Sequence, residues 1–492
     1  MNGRRIFGAA CLLLAAGGCS LITPAHHSEI LQDVPANWSG MQAEDKSQAS
    51  TIAHWWRRFD DPLLSSLIEQ ALQNNTSIKI SMAALRQARA LRDVASAALW
   101  PSLNGSASGQ RNHTGSGASI ANVERTSNTF QAGLDAAWEL DIFGVNRSAL
   151  LVIDEQVMAS TASLGDVQVS IAAEVALNYI SLRAVQVRLA IAGASLDSQL
   201  DTLQITQWRL QAGLITSLDA EQSRTAAEQT SALLPALQTS LTQTSHALAV
   251  LVGQAPEALL TLLQTAGPSP QMADNITLSL PAATLRQRPD VRAAEHQVSA
   301  ARARIDQAQA ARLPGFSIGG SLGLSATTLG TLTHGASVVN TLLGSVTVPL
   351  FDGGALRAQV DVQEAAYEQA RQSYRSTVLT ALKDVEDALV ALNADHLRLT
   401  HLTNAAAAAN SAADMARQQY SSGLVDFQTV LETQRTQLGT QDSVAIARAD
   451  VASDQVRLYK ALGGGWTDDA PSEMASMPSS ARPSASSSRA TP

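Results

Sequence analysis

The stretch Gln207–Gly253 reads QWRLQAGLITSLDAEQSRTAAEQTSALLPALQTSLTQTSHALAVLVG, and it aligns without a gap on Arg417–Gly463, which reads RQQYSSGLVDFQTVLETQRTQLGTQDSVAIARADVASDQVRLYKALG. A Gly-Leu pair near the start and a glycine at the end coincide in the two stretches. Solenoid repeats recur every 20 to 50 residues or so, which is far below a spacing of about 210 residues. The alignment therefore predicts one large structural unit that is present twice.

A long helical pattern precedes each Gly-Leu pair, and a shorter helical pattern follows it. The long patterns cover about residues 147–212 and 355–422, and neither contains proline. At 1.5 Å per residue, about 65 residues give a helix of about 100 Å. Since a globule cannot bury such a helix, we expect each to pair lengthwise with a returning helix of about 40 residues. Gly213 and Gly423 supply the left-handed residue that ends a helix.

Two segments of alternating apolar and polar residues predict β-hairpins, because successive side chains of a strand point to opposite faces. These segments cover about residues 101–141 and 314–351. Each holds two predicted strands of about 10 to 13 residues, and a tilted transmembrane strand needs about 9 to 11. The alternative is a small soluble sandwich with one solvated face. That alternative gives no reason for the very long helices on either side.

The polar face of the second predicted strand carries Asp135, Glu139 and Asp141. In a membrane barrel this face lines the lumen, where carboxylates favour cationic solutes. The alternative is that any lumen face is polar, without selectivity for charge.

Four strands do not close a barrel with a usable interior, since even eight strands leave room only for side chains. An open sheet edge in lipid would leave backbone groups without hydrogen bonds. We therefore expect several chains to share one barrel. Beyond the amino-terminal run, no window reaches 18 consecutive apolar residues, so strands rather than helices are expected to span any membrane.

The amino terminus has the pattern of an export signal, with Arg4 and Arg5 before an apolar run that is too short for a permanent transmembrane helix. Small residues then precede Cys19, and this resembles the lipobox of bacterial lipoproteins, although Ala16 stands where the box usually has leucine. The resemblance implies a diacylglycerol and palmitoyl lipid on Cys19. The alternative is an ordinary cleaved signal with an incidental cysteine.

The sequence predicts no enzyme. Its nine histidines are scattered without ligand spacing, no glycine-rich phosphate loop follows a strand, and no Ser/His/Asp arrangement lies at a strand-turn elbow. We therefore expect no catalytic residue, no metal site and no cofactor apart from the lipid. The net charge of −9, without a basic stripe, argues against a nucleic-acid partner.

The predicted order is a signal peptide at 1–18, a lipidated coil at 19–54, a first repeat at 55–253, a linker at 254–282, a second repeat at 283–465, and a disordered tail rich in Ser, Pro and Ala at 466–492.

The combination of motifs resembles the TolC-like outer-membrane factors of Gram-negative bacteria, and more closely their lipoprotein efflux branch of the OprM and NodT type. The resemblance covers about residues 55–466. It rests on the opening WWRRFDDPLLSSLIEQAL at 55–72, the helix-proline-strand junctions at 99–101 and 313–314, the strand exits WELDIFG at 138–144 and VPLFDGG at 348–354, and GLVDFQTVLETQR at 423–435.

The resemblance implies a mixed α and β membrane protein: a homotrimer with a twelve-stranded outer-membrane β-barrel, four strands per chain, continued by a periplasmic α-helical coiled-coil barrel. It implies a passive exit duct, embedded in outer-membrane lipid, for small molecules such as drugs. Its partners would be a periplasmic membrane-fusion adaptor and an inner-membrane pump of the resistance-nodulation-division type. The alternatives are a type I protein-secretion duct and, from another class, a periplasmic coiled-coil scaffold lipoprotein without a pore.

The resemblance also implies a gate at the periplasmic helix tips, which by position are the turns at Gly213 and Gly423. Asp426 is the foremost gate residue, and Glu432 and Asp219 lie one or two turns further along. One carboxylate per chain would form a ring of three that attracts cations and responds to pH. The alternative is that Asp426 caps the returning helix.

Overall fold

The computed structural model describes residues 50–114, 125–271 and 285–466. The predicted signal peptide, Cys19 and nearly all of the predicted lipidated coil lie outside these residues. So do the predicted tail from residue 467 onward, part of the first hairpin loop and part of the linker.

The two repeats share the order helix, hairpin, long helix and returning helix. The first contains α1 (Ser50–Ala53), a 3-10 turn (Trp55–Phe59), α2 (Pro62–Asn74), α3 (Thr76–Ala97), β1 (Ser102–Thr114), β2 (Arg125–Leu140), α4 (Val145–Gln211) and α5 (Ser217–Leu251), and the linker adds α6 (Leu260–Leu263). The second contains α7 (Pro289–Ala310), β3 (Gly315–Ala326), a 3-10 turn (Gly330–Leu332), β4 (Ser337–Thr347), α8 (Ala355–Ser421) and α9 (Phe427–Ala461).

The helix lengths confirm the predicted repeat. The long helices α4 and α8 have 67 residues each, and the returning helices α5 and α9 have 35 each. The returning helices are thus shorter than predicted. Among the described residues, α4 alone is long and apolar enough to cross a membrane, and 56% of its most apolar window is buried inside the protein. This burial is expected of a helix packed along its length against others.

The second strand of the first hairpin is longer than predicted. β1 has 13 residues and β2 has 16, and their pairing continues out to Thr114 opposite Arg125. Polar residues such as Asn112 and Ser127 therefore belong to strands. Polar side chains do not end an antiparallel ladder, because its hydrogen bonds join backbone groups.

The four strands form one antiparallel sheet in the order β1-β2-β3-β4. Leu134 pairs with Gly105 on one side and Leu322 on the other, whereas Asp135 pairs with Asn104 and Ser321. Since directly paired residues share a face, apolar and polar residues separate onto opposite faces. The predicted alternation is confirmed.

The largest apolar core lies where the amino-terminal segment meets the ends of α5 and α9. Trp55 and Trp56 are buried there beside Tyr179 and Tyr459, and Trp55 stacks on Tyr459 at 5.8 Å between ring centroids. Asp61 caps α2 with its Oδ1, which accepts hydrogen bonds from two backbone N–H groups at 3.0 Å. These contacts attach the start of the described chain to the end of the second repeat.

Candidate functional site

The turns between the long and the returning helices have the geometry that glycine permits. Gly213 has a φ of 70° and Gly423 a φ of 73°. The next N–H group bonds back across each turn, from Leu214 to the Arg209 carbonyl and from Leu424 to the Gln419 carbonyl, at 2.9 Å in both. This is the Schellman arrangement. Leu214 and Leu424 are left exposed at the two helix tips.

Asp426 is the N-cap of α9. Its Oδ1 accepts hydrogen bonds from the Thr429 backbone N–H at 2.9 Å and from the Thr429 hydroxyl at 2.6 Å. These two bonds hold the pKa of the Asp426 carboxyl below its usual range. The side chain is exposed, so the structure places an ionised carboxylate at the second tip and also gives it the capping role.

The first tip carries its acid three residues further along. Asp219 and Thr216 form a capping box, in which the Asp219 Oδ2 accepts from the Thr216 N–H at 3.0 Å. Thr216 aligns with Asp426, and the Asp219 side chain reaches back to Thr216. Each tip therefore has one carboxylate at the start of its returning helix. Glu432 is exposed on the second turn of α9.

An aromatic contact joins the two tips. The Arg209 guanidinium lies over the Tyr420 ring at 4.4 Å from its centroid, and Tyr420 packs on Phe427 at 5.4 Å. Phe427 is buried together with Ala226 and Leu431. This cluster was not predicted from the sequence, although Tyr420 stands three residues before the turn glycine within the aligned stretch.

Polar contacts continue this link between the repeats away from the tips. Gln434 on α9 donates to the Thr202 hydroxyl on α4 at 3.2 Å. Further along, Arg188 on α4 forms a bidentate pair with Asp442 on α9, at 2.6 Å for Nε to Oδ1 and 3.2 Å for Nη2 to Oδ2. Polar groups therefore join α9 to α4 at two levels in this region.

Two of the three predicted lumen acids lie on the polar face of β2. Asp135 accepts a hydrogen bond from the Ser106 hydroxyl at 3.1 Å, and Glu139 pairs in register with Ser317. Both faces of the sheet are solvent-accessible in a single chain, so a lumen exists only once further copies close the sheet.

The prediction for Asp141 is wrong, because β2 ends at Leu140. The Asp141 carboxylate turns to the start of α4. It accepts from the Asn146 N–H at 3.1 Å and from the Arg147 N–H at 2.8 Å, and it pairs with the Arg147 side chain. Unpaired N–H groups at a helix start attract a carboxylate. Asp352 does the same for α8 through the Leu356 N–H at 2.8 Å.

Aromatic residues gather at the end of the sheet next to the helices. Trp100 precedes β1 and is exposed, and the Trp138 indole donates to the Leu99 carbonyl at 3.1 Å. Phe316 begins β3, and Phe351, just beyond β4, is 94% exposed. Aromatic side chains at one level of a sheet are typical of a membrane interface.

Within the ranges that the structure describes, no group of three or more His, Cys, Asp or Glu side chains is arranged to hold a metal ion.

Comparisons with known proteins all match outer-membrane efflux or export proteins. The family profile described as "Outer membrane efflux protein" matches residues 67–254 and 280–464, one match in each repeat. The chain is 31% identical to the solvent efflux pump outer membrane protein SrpC of Pseudomonas putida, over 92% of this chain and 97% of that protein. It is 33% identical to the pyoverdine export outer membrane protein OpmQ of Pseudomonas putida, over 89% of this chain and 93% of that protein.

The solved structures that resemble this fold are also outer-membrane channels. The outer-membrane channel OprN superposes with a TM-score of 0.80 at 32% identity, over 91% of this chain and 98% of OprN. The open state of the Neisseria gonorrhoeae MtrE outer membrane channel superposes with a TM-score of 0.80 at 26% identity, over 91% of this chain and 98% of MtrE.

Proposed function

Because the chain belongs to the outer membrane efflux protein family, we propose that its tips form the gate of an exit duct that serves a tripartite pump. The fold class, the outer-membrane location and the efflux function that the sequence predicted are those of this family. The secretion duct and the pore-free scaffold are accordingly set aside.

The sheet supports a duct made by three copies. β1 and β4 are its outer strands, and in lipid the backbone groups at both edges need partners. Pairing the β4 of one copy with the β1 of the next satisfies both edges and closes twelve strands. The apolar face then meets lipid, and Asp135 and Glu139 face the lumen.

The main observation that supports a gate at the tips is the contact of Arg209 with Tyr420. It holds the second tip against α4, and polar contacts such as Gln434 with Thr202 join the two helices nearby. Polar contacts are exchanged for water at a small net cost, so this end of α9 separates from α4 more readily than the apolar end near Tyr459. Asp426 serves as cap and gate together, because capping uses its Oδ1 and leaves the side chain exposed.

The cargo and partners follow from the relatives. SrpC is named for solvent efflux and OpmQ for pyoverdine export. We infer that this duct passes small molecules that its pump selects, and that its partners are a periplasmic adaptor and a pump of the resistance-nodulation-division type. The duct itself performs no catalysis, and a lipid on Cys19 anchors it.

Planar-bilayer recording from purified trimers tests the duct, and stepwise conductance is the expected result. Trimers that are well folded and give no conductance would contradict it. Cys19→Ser tests the anchor separately. We expect the variant to lose the lipid from its mature mass and to be retained less firmly by membranes, and an unchanged mass would contradict the anchor.

A further inference from the structure

A buried carboxyl group on α9 lacks a donor for one of its oxygens. Asp454 is 1% exposed, and its Oδ1 accepts a hydrogen bond from Arg457 Nη1 at 2.6 Å. Its Oδ2 is buried, and no donor of the described residues reaches it. The group that faces it from α8 is the carboxyl of Asp395. Two ionised carboxylates have only acceptors, so a proton on one of them is what makes this contact a hydrogen bond.

The cations near Asp395 and Asp454 are too few to neutralise both carboxylates without the proton. Among the described residues, Arg457 is the cation that donates a hydrogen bond to Asp454. Arg398 on α8 lies 3.4 Å from Asp395, but it also pairs with Asp450 at 3.0 Å. The Arg398 charge is therefore divided between two acids, and it lies on the Asp395 side of the pair.

A cavity of about 400 Å³ adjoins Asp454 and adds acids from α4, α7 and α8. Its charged lining, besides Asp454 and Arg457, consists of Asp166 on α4, Arg288 and Asp290 at the start of α7, Asp384 and Asp387 on α8, and Lys460 on α9. Arg288 is taken up by Asp290 at 2.7 Å and Asp384 at 3.3 Å. The acids of this region outnumber its cations, so the surroundings favour a protonated carboxyl.

Burial and the neighbouring Asp395 raise the pKa of Asp454 above its usual range, and Arg457 opposes this rise. Two adjacent carboxyl groups hold one proton more tightly than either group alone, since both cannot ionise at short range without repulsion.

We propose that Asp395 and Asp454 share one proton across the interface of α8 and α9, and that loss of this proton as pH rises weakens the pairing of these helices. The pair lies about 40 Å from the tip turn along each helix, at 1.5 Å per residue. It is separate from the proposed gate and does not depend on it.

The direction of the pH effect follows from linkage. Between the ordinary aspartate pKa of 3.8 and the raised value in the folded protein, the folded state binds more protons than the unfolded state. Stability therefore falls as pH rises through this window. Acid strengthens the contact and neutral pH weakens it.

The test uses full-length trimers in detergent, with the unfolding temperature followed from about pH 5 to pH 8. Asp454→Asn keeps an acceptor for Arg457 and offers an N–H donor to Asp395, so it supplies the hydrogen bond without a proton. We expect the variant to exceed the wild type by roughly 2 °C or more at the upper pH, and to have a smaller slope against pH. Asp395→Asn is the second variant and should flatten the slope in the same way.

Asp414→Asn is the matched control, since Asp414 is on α8, its side chain is 71% exposed and it pairs with Arg417. Its curve should run parallel to that of the wild type. Infrared spectra of the wild type should show a protonated-carboxyl band at the acidic end of the pH range that fades as pH rises, and Asp454→Asn should lack this band. Parallel curves for wild type, Asp454→Asn and Asp395→Asn would overturn the proposal, and so would a uniform loss of stability with an unchanged slope.

Discussion

Asn75 and Arg288 occupy equivalent places in the two repeats. Each directly precedes the helix that leads to a hairpin, and each side chain donates a hydrogen bond of 2.8 Å to a carbonyl at the end of the returning helix, Leu251 for Asn75 and Ala461 for Arg288. The repeats therefore share a contact but not the residue that makes it. Asn75 also caps α3, whereas Arg288 also pairs with acids.

Replacing Asn75 by alanine removes two interactions together. The Asn75 side chain caps α3 through the Ser77 N–H at 2.8 Å and holds the Leu251 carbonyl. A lost cap costs about 1 kcal/mol, and a buried carbonyl without a donor costs about 1 to 3 kcal/mol. We expect Asn75→Ala to lower the free energy of unfolding by about 2 kcal/mol or more in denaturant titration. Gln73→Ala, exposed on the preceding helix end, is the control and should change little.

Replacing Arg288 by alanine should be more costly, because it leaves Asp290 and Asp384 without their buried cation. Removing one partner of a buried pair costs about 3 to 5 kcal/mol. The Arg288 side chain is 9% exposed but Asp384 is 41% exposed, so we expect the lower end of that range. Arg302→Ala on the same helix, with its side chain 61% exposed, should stay within about 0.5 kcal/mol of the wild type. Equal losses for the two variants would contradict a buried role for Arg288.

Two substitutions separate the gate from the cap at Asp426. Serine is a good N-cap residue without charge, whereas alanine has neither a charge nor a capping group. If the carboxylate ring gates the duct, Asp426→Ser and Asp426→Ala both raise basal conductance and antibiotic leak, and Asp426→Ala alone loses about 1 kcal/mol of stability. Normal trimer levels with unchanged leak in Asp426→Ser would show that the residue acts as a cap only.

The same site predicts a pH dependence. The bonds from Thr429 lower the pKa of Asp426, so its stabilising contribution is present above the ordinary aspartate pKa of 3.8 and is lost as pH falls through the folded value. The lowered pKa keeps Asp426 ionised from about pH 5 to pH 8, so the pH response expected of the ring lies below this range. The difference in leak between wild type and Asp426→Ser should be constant over this range, and a difference that vanishes near pH 5 would contradict the assigned ionisation.

The contact of Arg209 with Tyr420 predicts that the tip loosens when the cation is removed. A cation over an aromatic ring contributes about 0.5 to 1 kcal/mol at an exposed site. We expect Arg209→Ala to increase the open time of single channels by about twofold to fivefold, since 1.4 kcal/mol corresponds to a tenfold change. Tyr420→Phe retains the ring and should match the wild type. An effect of Tyr420→Phe as large as that of Arg209→Ala would point to the hydroxyl instead.

Much of the fold was predictable because it depends on local features of the chain. The alignment of the repeats, the long helices and the two strand faces follow from periodicity. The turns at Gly213 and Gly423 follow from the chemistry of single residues and their neighbours. The prediction for Asp141 was wrong because it too relied on local periodicity. The alternation of apolar and polar residues continues past the end of β2, but the chain turns into α4 there, and this turn directs the Asp141 carboxylate to backbone N–H groups.

The sequence by itself determined the architecture of one repeat, because a helix, a strand and a turn are specified by residues close together in the chain. The tertiary structure decided which side chains meet across the helices. Asp395 and Asp454 stand at matching distances from the tip turn, so an antiparallel helix pair brings them to the same level. Whether they face each other depends on how α8 and α9 are rotated about their axes, and packing against α4 and α7 sets that rotation. The contacts of Arg209 with Tyr420 and of Arg188 with Asp442 were hidden for the same physical reason, because they join two repeats whose relative placement no local pattern encodes.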